Sequence, residues 1–223
     1  MRLFAAIVPP RQVVEELSEL VGSVRGPAPE PAQKRGLLRR RPPRGDGGPA
    51  ADGPAPVELD RPPVEEMYIP ITGFGNVTLG DSIKLADALR TAAASWPRAE
   101  VSFAGAAALE FKGDESVWAR LAGDLDGVSR VGRGVPQVVQ RLGFFVDRRV
   151  FRPWLSVGTI TDHTTAPYLE RVVEALEQFQ GRPWTVEHVH LMRRPADLND
   201  VHSFEVMEEL PLAQVQDRAP ADS

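Results

Sequence analysis

The 223-residue chain has no cysteine, which excludes disulfides, thiolate metal ligands and cysteine-based redox or nucleophilic chemistry. Histidine is scarce, with four residues in all, so chemistry that needs imidazole has few places to reside. No long apolar run is present either. The opening MRLFAAIVPP is cut off by Pro9 and is too short for a signal peptide or a membrane span, which points to a cytoplasmic chain without membrane association. Positive charge is not in excess: 26 Lys and Arg face 31 Asp and Glu, a net of -5, so any contact with a polyanion has to be local. The Walker loop, the dinucleotide fingerprint and the hydrolase triad motifs are missing as well, and nothing calls for a cofactor.

What is present is enough apolar material, 42% of the residues, to build one large domain or two small lobes. One stretch stands apart. Residues 25–56, RGPAPEPAQKRGLLRRRPPRGDGGPAADGPAP, are dominated by Pro, Gly, Ala and Arg and show no periodic apolar face that could offset the entropy of ordering. The expected organisation is one domain from residues 1–25 and 57–212, a disordered insertion at 26–56 and a flexible tail at 213–223. Residues 27–56 hold six cations against three carboxylates, a net of +3. The insertion reads first as a solvated linker, and second as an arm able to touch RNA phosphates.

Elsewhere the apolar pattern places the elements. RLFAAIV reads as a strand, and Val13, Val14, Leu17, Leu20, Val21 and Val24 as one face of a helix ending near Gly26. A strand follows around Tyr68, then a helix capped by Asp81 or Ser82 and running to about Ser95, then a strand pair or one bulged strand in AEVSFAGAAALEF. Val117, Trp118, Leu121 and Leu125 suggest a helix over 115–126, and Pro136 suggests the start of another through Leu142. A strand at Trp154, a helix from Thr164 or Thr165 to Gly181, and strands in PWTVEHVHLM and HSFEVMEEL complete the chain. The strand–helix–strand unit that begins at Tyr68 is repeated from Trp154. The expected fold is therefore α+β and duplicated, two antiparallel-sheet lobes about a pseudo-twofold axis, with the two equivalent strands facing a central cleft.

Those two strands share a layout. In MYIPITGFG, Met67, Ile69 and Ile71 lie on one face and Tyr68, Pro70 and Thr72 on the other; in RPWLSVGT, Leu155 and Val157 oppose Trp154, Ser156 and Gly158. Each strand thus carries an aromatic at the head of its polar face. The element order, the opening MRLFAAIVPP, the RPP ahead of the Tyr68 strand, the GFG after it and above all FRPWLSVG resemble the two-histidine phosphoesterases, and within them the bacterial RNA 2',3'-cyclic phosphodiesterases, also called the 2'-5' RNA ligase family. The resemblance spans the chain apart from residues 26–56 and the tail after Leu212. It implies a His-x-Thr/Ser-x strand in each lobe. Here Tyr68 stands at the first histidine, Pro70 at the first threonine, Trp154 at the second histidine and Ser156 at the second hydroxyl, while Thr72 and Thr159 stand where basic residues follow the motifs.

Opening a cyclic phosphate takes one base and one acid, roles that imidazole fills at neutral pH, and hydroxyls and cations to hold the phosphate oxygens. Trp154 can neither accept nor release a proton, Pro70 offers no donor, and the phenol of Tyr68 is a poor base though a conceivable acid. The resemblance therefore implies a relative without the family's acid–base pair. Two uses of Trp154 remain: a plug packed against Tyr68, or a stacking surface for a base, the contact being worth about 1–3 kcal/mol. The ligand set on the second reading is Tyr68, Trp154, Ser156 and Arg152, with Arg149 also near the strand and His163 as a substitute base. His188 and His190, two apart on a strand, share a face but have no third ligand beside them, so no metal site is expected and exposed histidines are; His202 has no evident partner. The leading expectation is a monomeric, catalytically inactive relative that binds RNA ends, nucleotides or a protein. The alternatives are an active phosphodiesterase with a rebuilt site, and a structural module with a closed cleft.

Overall fold

The computed structural model describes residues 1–25, 58–111, 114–147, 149–194 and 204–213. The expected insertion and all but the first residue of the expected tail lie outside these residues. In chain order the elements are β1 (Arg2–Ile7), α1 (Arg11–Ser23), β2 (Leu59–Asp60), β3 (Ile69–Asn76), α2 (Leu79–Ala93), β4 (Ala99–Phe111), β5 (Asp114–Gly123), α3 (Leu125–Arg141), β6 (Trp154–Ile160), α4 (Ala166–Gln178), β7 (Trp184–Val186), β8 (His188–Arg194) and β9 (Glu205–Pro211). Every named strand pair is antiparallel. They form a four-stranded sheet in the order β3-β1-β8-β9 and a five-stranded sheet in the order β2-β6-β5-β4-β7, the two-lobed α+β fold that the sequence pattern implies.

The duplication is visible in this arrangement. β3, α2 and β4 are answered by β6, α4 and β8, and the leading strands β3 and β6 lie in different sheets. Helix α2 packs on α3 and against β9, whereas α4 lies on β4 and touches α1, so each sheet carries its own helical cover. The apolar face of each leading strand is buried: Met67, Ile69 and Ile71 in one case, Leu155 and Val157 in the other. Pro70 is tolerated because β3 is an edge strand of its sheet, where a missing N–H costs little of the ladder.

Two sequence expectations need correction. Residues 115–126 are the strand β5 and the start of α3, not one helix. The spacing of Val117, Leu121 and Leu125 imitates a helical face, but burial follows the period of two, with Val117, Ala119 and Leu121 inside and Arg120 exposed. Pro136 likewise does not open a helix; it sits inside α3. The helix starts at the Asp124 cap, whose Oδ1 accepts the Gly127 N–H at 2.9 Å, and the buried stripe Val128, Val131, Val135, Val139 carries it past the proline. Helix α2 begins earlier than expected, because Thr78 is the cap and its hydroxyl oxygen accepts the Asp81 N–H.

The AEVSFAGAAALEF segment is a single bulged strand. Pairing of β4 with β5 shifts between Phe103 and Ala106, and Gly105 there takes φ +87°, a conformation that favours glycine. Glu177 of α4 closes the bulge: its Oε1 accepts the Ala106 N–H at 2.9 Å and an Arg120 N–H at 3.0 Å. Because the ion pair is half exposed, most of its value lies in satisfying the backbone donor, so Glu177→Ala should lower stability by about 1 kcal/mol. Glu177→Gln, which keeps an acceptor, should recover most of that in urea denaturation; equal midpoints for wild type and the alanine variant would refute this role.

Candidate functional site

The two sheets enclose a cleft of about 1060 Å³. One wall belongs to the four-stranded sheet. Phe4 of β1, Tyr68 just ahead of β3, Pro70 and Thr72 of β3, and Arg194 at the end of β8 line it. The Tyr68 ring centroid lies 5.2 Å from Phe4 and 5.1 Å from Phe204, the latter edge-on. Arg194 donates to the Tyr68 hydroxyl at 3.2 Å and places its guanidinium 5.6 Å from the Phe4 ring centre. An aromatic surface with a cation at its rim results.

The opposite wall belongs to the five-stranded sheet. Trp154 and Thr159 of β6 and Ser116 and Trp118 of β5 line the cleft. Opposite residues in the ladder are Arg120 with Trp154, Trp118 with Ser156 and Ser116 with Thr159, and the register shifts between the last two of these pairs. That shift buries both Val157 and Gly158 and brings Thr159 out. Arg152 lies 4.9 Å from the Trp154 ring centre, so this wall too pairs an arginine with an aromatic. Ser156, half-buried beside Trp118, is not among the residues lining the cleft.

A third wall is the loop of residues 142–153, tied to both sheets by its backbone. The Asp147 N–H donates to the Gly73 carbonyl at 3.0 Å, the Thr72 hydroxyl to the Asp147 carbonyl at 3.3 Å, and the Leu121 N–H to the Pro153 carbonyl at 3.1 Å. Among the described residues, four arginines (Arg2, Arg149, Arg152, Arg194) and two carboxylates (Glu115, Asp147) line the cleft, a net of +2 in a chain of net -5. Arg149 is 3.5 Å from Asp147; Arg2 and Arg152 have no carboxylate partner among the described residues. Charge of this sign in a concave site attracts phosphate.

The chain aligns along nearly its whole length with solved structures. A protein of Thermus thermophilus gives a TM-score of 0.63 at 15% identity, covering 97% of this chain and 100% of that one. A structure described as a phosphoesterase gives 0.62 at 12% identity, with 96% and 99% covered. Escherichia coli LigT complexed with 3'-AMP gives 0.61 at 13% identity, with 96% and 98% covered. The fold is that of the LigT-type phosphoesterases. E. coli LigT has also been crystallised with ATP and with NADP+. No family model and no curated protein sequence matches the chain.

On the LigT-type frame most of the residues singled out in the sequence meet at the cleft. Tyr68, Pro70, Trp154, Arg149 and Arg152 line the cleft together, as do Thr72 and Thr159. His163 does not join them; it is exposed in the turn between β6 and α4, its N–H donating to the Thr161 hydroxyl at 3.2 Å. His202 lies outside the described residues. Tyr68 finds its ring partners in Phe4 and Phe204 rather than in Trp154.

The expectation of exposed histidines on β8 is corrected for His190, which is buried. β8 is an interior strand, covered on both sides by β1 and β9. Burial pushes the imidazole below its ordinary value; Glu209, 4.0 Å away, opposes this, His188 adds to it, and the Ala6 carbonyl opposes it. The unfolded chain therefore binds a proton that the folded chain resists, and this group's contribution to stability declines as pH falls below about 6.5. His190→Gln should flatten the loss of urea midpoint between pH 7 and 5.5. An unchanged acid slope in that variant would assign the loss to other groups.

Sequence reasoning missed Phe4, Arg2, Arg194 and Trp118 as residues lining the cleft. Arg2 and Arg194 come from strands of opposite chain ends that pair with each other in register, a juxtaposition without any local signal. Trp118 was hidden by the helical misreading of β5; the alternation of Ser116, Trp118 and Arg120 against buried neighbours would have shown it.

Proposed function

We propose that this protein binds a nucleotide or an RNA end in its cleft and does not open 2',3'-cyclic phosphates by paired imidazoles. One observation carries the reading: the two leading strands present Tyr68 and Trp154 to a cleft whose described lining residues include four arginines and no histidine. Stacking on an aromatic face and charge pairing with phosphate are what these groups can do, and both are tolerant of sequence. A volume of about 1060 Å³ between the sheets favours an occupied cleft over one packed shut by Trp154. The ligands of E. coli LigT, 3'-AMP, ATP and NADP+, support a nucleotide as the class.

The test is to mix the full-length protein with a short RNA ending in a 2',3'-cyclic phosphate and follow both product formation and tryptophan fluorescence. Quenching without product is expected. Binding should weaken with salt, log K falling by roughly 1.4 per tenfold increase in salt for two phosphate contacts on a single strand. Product above a heat-killed control would overturn the inactive part of the reading and turn attention to Tyr68, Ser156 and the cleft carboxylates. No change in either signal would overturn the binding part.

A further inference from the structure

Among the described residues nine large apolar side chains stand exposed, and six of them belong to segments that meet at one corner of the molecule: Met1, Leu79, Ile83, Leu142, Phe145 and Val150. The Met1 amine donates to the Val77 carbonyl at 3.0 Å, two residues ahead of Leu79, and Leu79 and Ile83 lie one turn apart at the start of α2. The Phe145 ring lies against the end of β3, 3.6 Å from where a Cβ on Gly75 would stand, and Leu142 and Val150 share its loop. Val150 is 83% exposed, Phe145 69% and Leu79 67%, so these side chains project from the surface. Scattered singly they would need no explanation; grouped, they mark a contact with a protein or a membrane.

The flanking charge decides between the two. Arg2, Lys84, Arg141 and Arg149 each adjoin one of the six in the chain, and no carboxylate does. Asp81 and Asp147 meet Lys84 at 3.6 Å and Arg149 at 3.5 Å; Arg2 and Arg141 have no carboxylate partner among the described residues. Projecting apolar side chains beside unpaired cations suit an anionic lipid surface, where each side chain enters separately and each cation meets headgroup phosphates.

We propose that this corner docks on an anionic membrane surface, with Phe145, Leu79 and Val150 entering the interface and Arg2 and Arg141 meeting the headgroups. The contact stands apart from the nucleotide-binding reading. It needs no spanning segment, and among the described residues no helix is long and apolar enough to cross a membrane.

The full-length protein is sedimented with sucrose-loaded vesicles of phosphatidylcholine alone and of equal parts phosphatidylcholine and phosphatidylglycerol. It should pellet with the mixed vesicles and not with phosphatidylcholine, and less so at raised salt. Phe145→Ser should lower the vesicle partition coefficient by at least about tenfold, and Arg141→Gln by roughly fivefold, with AMP binding as in wild type. Both side chains are exposed, thermal unfolding checks that the variants fold, and the comparison of the two vesicle types needs no variant. Equal pelleting with both compositions, or with neither, would overturn the proposal, as would vesicle binding that Phe145→Ser leaves unchanged. Self-association of the wild type without lipid, abolished by Phe145→Ser, would overturn it in favour of a second copy of the chain at this corner.

Discussion

Trp154→Ala should weaken nucleotide binding by about 1–3 kcal/mol, roughly five- to 150-fold, and should remove most of the fluorescence response to ligand. The ring is half-buried at the head of β6, with Arg152 over it and Trp118 on the neighbouring strand of the same wall. Truncation removes a stacking face and also releases the guanidinium that the ring holds near the cleft. Phe at this position should retain most of the affinity, since it keeps an aromatic face. The backbone of β6 is held independently by its pairing with β5 and by buried Leu155 and Val157, so thermal stability should change far less than affinity. If the alanine variant binds as well as wild type, Trp154 is not the stacking surface and the stacking reading falls with it.

Gly132→Ala is expected to destabilise the fold by about 1–3 kcal/mol and to weaken binding as well. Gly132 lies on the buried face of α3, and a Cβ there would stand 2.1 Å from a ring carbon of Phe151. Such a contact cannot persist, so the Phe151 ring must move. Phe151 is the residue before Arg152 and itself lines the cleft; its displacement is transmitted to the Arg152–Trp154 pair through the adjoining backbone. Elsewhere in a helix this substitution would be favourable by close to 1 kcal/mol, so the sign of the change is diagnostic. A variant that melts at or above the wild-type temperature with unchanged affinity would show that Phe151 is not packed on α3 as described.

The fold was largely readable because its signals are local. Alternation in MYIPITGFG and RPWLSVGT, helical stripes in α1 and α4, and the repeated strand–helix–strand order each lie within a window of a few turns. The misreadings arose where two periods coincide, as for Val117 and Leu121, or where a proline followed a strong apolar stripe, as in α3. Of the residues lining the cleft, Tyr68, Trp154 and Arg152 could be singled out because each lies on or beside a leading strand. The arginines at positions 2 and 194 could not, because only the pairing of β1 with β8 brings them to one wall, and no pattern within either segment encodes that pairing.

The interleaving of the sheets bears on how the protein is made. The five-stranded sheet draws on residues 59–186, whereas the four-stranded one needs β1 at the start of the chain and β8 and β9 near its end. A ribosome emitting the chain from its amino terminus can complete the first sheet while β1 still waits for the partner at its inner edge. The nascent protein would thus leave the backbone edge of β1 unpaired until β8 emerges, a long-range closure of the kind that slows folding. Loss of the final strands should therefore yield aggregation rather than a working half, since the truncated chain would retain the Trp154 wall and lack the β8 partner of β1.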